Sequence, residues 1–198
     1  EVAQGRLEAL LNYQTVICDL TGMEISNASL LDEATSAAEA MTMLYGCRSR
    51  DQIKNQVNKF IVSDDVFEQT LAVLQTRAEP LGIEIELRTT DSIKIDEKVF
   101  GCLVQYTGKT GKINDLEALS RKIEKSNCRL VVAADLMSLT VLKEPSAFNS
   151  DVVVGTSQRF GIPLGYGGPH AGYFATKMEY KRFIPGRIIA VSYTHLRA

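Results

Sequence analysis

No surplus of either charge runs through this chain: 22 Lys and Arg stand against 24 Asp and Glu, for a formal charge of -2. That balance, without a basic stretch, argues against nucleic acid or an anionic membrane and points to proteins and small molecules as partners. No apolar run approaches the roughly 20 residues of a membrane span, and no secretory leader opens the chain. Cysteine is sparse. Cys18, Cys47, Cys102 and Cys128 are scattered with no CxxC pair, which favours reduced thiols in a cytosol-like compartment over a disulfide framework. The two histidines, His170 and His195, lack metal-ligand spacing. Also missing are a loop ending in GK[ST], a strand-GxGxxG-helix context and a GxSxG elbow, so phosphate-loop, dinucleotide and serine-hydrolase chemistries have no motif. Neither an internal repeat nor a low-complexity segment marks a linker.

What is present is globular material. Hydrophobic residues make up 45% of the 198 positions, enough for the core of one domain or the larger part of one. The chain opens on Glu1 rather than methionine, which reads as processing or as a fragment. Leu7, Leu10, Leu11 and residues 13–17 set an apolar stripe on a helix stopped by Gly22. Ser29 with Asp32 predicts a capping box for a helix over 30–44, ended by Gly46. Strands are predicted over 59–62, 83–87, 100–105, 130–134 and 152–154, with helices over 66–78, capped by Ser63, and over 114–126. Strands alternating with helices imply right-handed crossovers and an α/β domain, a mostly parallel sheet with helices on both faces.

Ligands of such sheets bind beyond the carboxyl ends of the strands. Asp135 follows the apolar run LVVAA; its carboxylate either caps the next turn or faces a protonated pyridine nitrogen. Ser63, Asp64 and Asp65 hold an equivalent place after another strand, where a helix cap with first-turn acids accounts for them without a ligand. Residues 165–172, GYGGPHAG, carry too many glycines for a regular element. They form either a tight turn or a cradle of backbone amides for an anion.

Three segments go further: EVAQGRLEALLNYQTVICDLTGMEISNASLLDEATSAAEAM, VVAADLMSLTVL and VVVGTSQRFGIPLGYGGPHAGYFATKMEYKRFIPGRI. They closely resemble the N-terminal half of the P-protein family of the glycine cleavage system, which in some bacteria is a separate chain, subunit 1. The resemblance implies the large domain of a pyridoxal-phosphate (PLP) transferase of the aspartate-aminotransferase type, fold type I. It also implies decarboxylation of glycine with PLP, transfer of the aminomethyl group to the lipoyl arm of H-protein, and release of CO2. The catalytic lysine of the family lies in its other half, in a segment of the form HKTFCIPHGGGGPG. Aligned on QRFGIPLGYGGPH, that pattern puts Gln158 at the lysine, Phe160 at the phenylalanine and Pro163 at the proline. An amide forms no imine with an aldehyde, so this chain is expected not to hold PLP covalently.

By the same resemblance Asp65 falls at the histidine that stacks on the cofactor, and Asp135 at the aspartate facing the pyridine nitrogen. Asp65, Asp135 and Gln158 thus make a degenerate site. Fold analogy makes Asn27 and Ser29, with Tyr166, Gly167, Gly168 and His170, the candidates for reaching the PLP pocket of the lysine-bearing second half. Implied partners are that second half, lipoylated H-protein and glycine. The implied compartment is the bacterial cytoplasm, or the mitochondrion in a eukaryote. The resemblance covers residues 1–191; the tail 192–198, SYTHLRA, departs from it and reads as artefactual. A truncated large domain is expected to leave edges uncovered and to be poorly soluble alone. Two other readings stay open: a fragment of another fold-type I PLP enzyme, and a non-catalytic scaffold that binds a protein partner.

Overall fold

A computed structural model describes residues 4–189; the tail 192–198 and His195 lie outside the described residues. In chain order the elements are α1 (Gln4–Thr21), β1 (Ile25–Ser26), α2 (Glu33–Gly46), α3 (Arg50–Lys54), β2 (Lys59–Ser63), α4 (Glu68–Ala78), β3 (Glu84–Arg88), β4 (Val99–Tyr106), α5 (Leu116–Ile123), β5 (Arg129–Ala134), β6 (Val152–Thr156) and β7 (Gly172–Thr176). The strands form one sheet in the order β1-β7-β6-β5-β4-β2-β3. From β6 to β3 every pair is parallel, whereas β7 runs antiparallel to both β6 and β1.

The strands read as continuous apolar runs because both faces are covered. All eight residues of β4 are buried. Successive side chains of β5 divide between two cores, Leu130, Val132 and Ala134 on one face and Val131 and Ala133 on the other. The first face packs on Ile17 of α1 and on Leu116, Leu119 and Ile123 of α5, the second on Ala37, Met41 and Leu44 of α2 and Leu74 of α4. Ala37, Ala38 and Ala40 are fully buried, so α2 presents small side chains where it lies on the sheet. β3 closes one edge, and its Glu86 pairs with Lys59 of β2 at 3.1 Å, a charged edge that resists pairing with another sheet.

At the amino edge the buried carboxylate of Asp151 holds three strands together. Its oxygens accept from the Leu130 amide at 2.8 Å, Lys177 Nζ at 3.1 Å and the Tyr180 hydroxyl at 3.2 Å. A buried charge this fully partnered avoids the desolvation cost an isolated one would carry.

Several predicted boundaries moved. The N-cap of α2 is Asp32, whose Oδ1 accepts from the Thr35 amide at 2.7 Å; Ser29 is exposed and lies before the helix, so no Ser29–Asp32 capping box forms. Ser63 does not cap α4: it ends β2, buried, with its hydroxyl 2.8 Å from Thr90 Oγ1, and α4 begins at Glu68 behind Phe67 without a side-chain cap. The helix predicted over 114–126 is confined to Leu116–Ile123, capped by Asp115. β1, α3 and β7 had no forecast. Two and five residues are too few to show a period, and β7, GYFAT, follows a glycine-rich loop that hid it.

Between β5 and β7 the chain leaves no room for a side chain at Gly155, where an added Cβ would lie 2.3 Å from the Ala134 carbonyl and 2.6 Å from the Tyr173 ring. Gly155→Ala is therefore expected to lower the unfolding free energy by about 1–3 kcal/mol, read as an earlier urea midpoint at unchanged slope. An unchanged midpoint would mean that these strands separate freely.

Candidate functional site

The ends of β4 and β5 meet the N-terminus of α2 at the carboxyl edge of the sheet, where Gln105 and Asp135 lie near Glu33. Asp135 follows β5 directly. Its amide donates to the Tyr106 carbonyl at 3.1 Å, its Oδ1 accepts from the Met137 amide at 3.0 Å, and its carbonyl accepts from the Ser138 amide at 2.9 Å and hydroxyl at 2.7 Å. Asp135 is thus a turn cap, and it has a second role. Oδ2 is ion-paired with Arg159 Nη1, so the chain's own guanidinium occupies the free side of the carboxylate.

Gln158 begins the turn after β6. Its Nε2 donates to the Gly167 carbonyl at 2.8 Å and its backbone amide to Thr156 Oγ1 at 3.2 Å, which draws the glycine-rich segment back toward the end of β6. That segment holds four consecutive residues in the left-handed region, Gly165, Tyr166, Gly167 and Gly168, at φ of 40, 56, 111 and 51°. Three of the four are glycine, as this backbone favours. Tyr166 takes the conformation with a bulky side chain, which costs about 1–2 kcal/mol, and it is fully exposed. His170 is exposed, with Nδ1 3.2 Å from the Gly168 carbonyl.

Asp65 belongs to a neighbouring hollow. Its Oδ1 accepts from the Thr110 amide at 3.2 Å and hydroxyl at 3.0 Å, its carbonyl from the Lys109 amide at 2.9 Å. Its Oδ2 lies over Gly108, where any Cβ would stand 1.4 Å away. The hollow, about 530 Å³, is lined by Asp65 with Thr89, Thr90, Lys109, Thr110 and Asn114. Asn27 is fully buried: its Nδ2 donates to the Pro185 carbonyl at 3.1 Å and its backbone amide to Phe174 at 3.0 Å. Ser29, two residues on, is exposed. The structure therefore brings Asp135, Gln158 and the loop to Gly167 into one cluster, and sets Asp65 beside the loop at Gly108.

Sequence reading missed Arg159 and Glu33. Glu33 opens α2 and reaches the end of β4, where Gln105 Nε2 donates to its Oε1 at 3.2 Å. Burial pushes its carboxyl up to about 7, against the relief of the Gln105 bond and with further upward pressure from Asp135 and Asp32. Burial likewise raises the Tyr173 hydroxyl, with Glu33, Tyr13 and Asp135 adding to it; that hydroxyl donates to the Ala134 carbonyl at 2.7 Å. A free-standing sequence signal for Glu33 does not exist, because a glutamate in a first helical turn is ordinarily a solvated, dipole-favoured residue.

This arrangement does not fit a covalently held PLP. Gln158, the residue that the resemblance aligns with the lysine, carries an amide, which forms no imine. Arg159 already neutralises Asp135, the carboxylate that the resemblance sets against a ring nitrogen. The start of α2, which would otherwise welcome a phosphate, carries the carboxyl groups of Asp32 and Glu33. Among the described residues no group of three or more His, Cys, Asp or Glu could hold a metal ion, and no helix is long and apolar enough to cross a membrane.

The profile of the family described as glycine cleavage system P-protein matches residues 1–196. Glycine dehydrogenase (decarboxylating) of Flavobacterium johnsoniae is 55% identical over 192 residues, covering 97% of this chain and 20% of that protein. The protein of the same name from Nostoc punctiforme is 56% identical over 192 residues, with 97% and 19% covered. The chain spans about a fifth of the length of the curated relatives it matches. The crystal structure of glycine decarboxylase (P-protein) of the glycine cleavage system, in inhibitor-bound form, superposes with a TM-score of 0.85 at 36% identity, covering 95% of this chain and 43% of that one. A structure of metY from Campylobacter jejuni, with N'-pyridoxyl-lysine-5'-monophosphate, matches at a TM-score of 0.68 and 13% identity over 88% of this chain and 41% of that one. At that identity the likeness carries the fold alone, which is that of fold-type I PLP enzymes.

Glu33 makes stability depend on pH in a stated direction. Its folded value of about 7 lies above the ordinary 4.5, so the folded state retains a proton that the unfolded state releases between these values. Stability therefore falls as pH rises from 4.5 to 7 and levels off above, by about 3 kcal/mol at most. Glu33→Gln is expected to match the parent near pH 4.5 and to exceed it at pH 8, measured by urea unfolding at both; parallel pH profiles for the two proteins would remove Glu33 as the cause.

Proposed function

Because the chain belongs to the glycine cleavage system P-protein family, we propose that it is the half of that enzyme which does not carry the cofactor lysine. The observation that carries this reading is Gln158, an amide at the end of β6 bound to the Gly167 carbonyl. The full enzyme, in this reading, decarboxylates glycine and passes the aminomethyl group to the lipoyl arm of H-protein, in the cytosol of a bacterium. PLP, held by the lysine-bearing half, supplies the electron sink.

The role of this chain is to shape and shield that partner site. Loop 157–171 stands at the ligand-binding edge with Leu164 and Tyr166 exposed, apolar groups suited to excluding water from a neighbouring pocket. Gly167, Gly168 and His170 lie on the same exposed segment. Asn27 supports the segment's outgoing strand through its bond to Phe174, while Ser29 is free to face the partner half.

Borohydride reduction of the complete enzyme, followed by mass mapping, is expected to place pyridoxyl label on a lysine of the other half and none on this chain. Label on a lysine within residues 4–189 would overturn the reading. Gly167→Leu, at a φ of 111° that only glycine adopts without strain, is expected to lower glycine cleavage about three- to tenfold while leaving the two halves associated.

A further inference from the structure

Asp135 is bonded on both carboxylate oxygens by groups of this chain. Loop 157–171 closes largely on itself: the Phe160 amide donates to Ser157 at 3.0 Å, the Ile162 amide to Gln158 at 3.0 Å, the Gly167 amide to Leu164 at 2.7 Å, and the Gln158 side chain to Gly167 at 2.8 Å. None of these bonds reaches the neighbouring strand end. The Arg159–Asp135 pair does, and its acceptor is rigid, because Asp135 is itself fixed by the Met137 and Ser138 bonds. Residues 159–167 are exposed throughout, so packing contributes little to their shape.

We propose that Arg159 is a positioning residue: its guanidinium stands at Asp135 where a cofactor's protonated ring would, and this pair clasps the glycine-rich loop to the end of β5. The former cofactor contact thus serves as a loop anchor. This inference rests on the preceding reading only where it assigns the loop a use in the partner's site; the clasp itself is a property of this chain.

The test is hydrogen–deuterium exchange over residues 158–170 in the complete enzyme, together with glycine cleavage kinetics, for Arg159→Ala, Arg159→Lys and Asp135→Asn. Arg159 is largely exposed, with 61% of its side-chain surface accessible, so folding is not at risk. A pair of this exposure predicts about two- to fivefold faster exchange in Arg159→Ala and Asp135→Asn, with Arg159→Lys restoring most of the protection. The double variant Arg159→Ala/Asp135→Asn should be no worse than either single change. Unchanged exchange in Arg159→Ala, or equal loss in Arg159→Lys, overturns the clasp whatever the activity. Faster exchange with unchanged glycine cleavage upholds the clasp and removes the loop from the partner's site.

Discussion

Both faces of the sheet are covered by helices, so its charged side chains are held to the β3 edge, where Lys59 meets Glu86, and to the places where the strands end. Those strand ends form an amino edge and a carboxyl edge. At the amino edge Asp151 is buried and satisfied by an amide of β5 and by an ammonium and a phenol from the turn after β7. At the carboxyl edge Asp65, Asp135, Glu33 and Gln158 are each engaged by a group of this same chain. A low-dielectric interior makes an unpartnered charge costly, and at Asp135 the guanidinium of Arg159 offsets it.

In our reading the carboxyl edge, with an amide at position 158, is kept in order by this chain's own side chains. Asp135 at its strand end is paired with Arg159, whose guanidinium offsets the carboxylate's charge. At the start of α2, Asp32 satisfies one of the helix's free amides, that of Thr35. Glu33 is the next residue of that helix, and burial pushes its carboxyl up to about 7. In our reading, a half-enzyme freed from cofactor chemistry keeps its edge in order so that it can stand against its catalytic counterpart.

The elements most legible in the sequence were those with a long period or an unbroken apolar run: α5 from Leu116, Leu119 and Ile123, β5 from LVVAA, and α2 from its run of Ala, Met and Leu. Caps were less legible. Ser29, Asp32 and Ser63 all have side chains that accept from helix amides, and which of them does so depends on where the chain enters the helix. β7 was hidden because antiparallel return through a loop needs no crossover signature. At the site, Asp65, Asp135 and Gln158 were picked out from chain position and resemblance; Gln158 binds the glycine loop and Asp135 binds Arg159 beside it, whereas Asp65 sits apart with Thr110. Arg159 and Glu33 were passed over, because an arginine in a loop and a glutamate in a first helical turn look like solvated residues.

What a side chain is chemically does not depend on the fold. The sequence by itself therefore determined the α/β order, the family, and the presence at position 158 of an amide that cannot form an imine. What a side chain faces does depend on the fold. Only the tertiary structure decided that Asp135 is neutralised from 24 residues downstream, that Asp65 turns to Thr110, and that burial raises the Glu33 carboxyl. The physical reason is that ion pairing and desolvation act over a few ångströms of space, and those distances are set by which strand ends the sheet brings side by side.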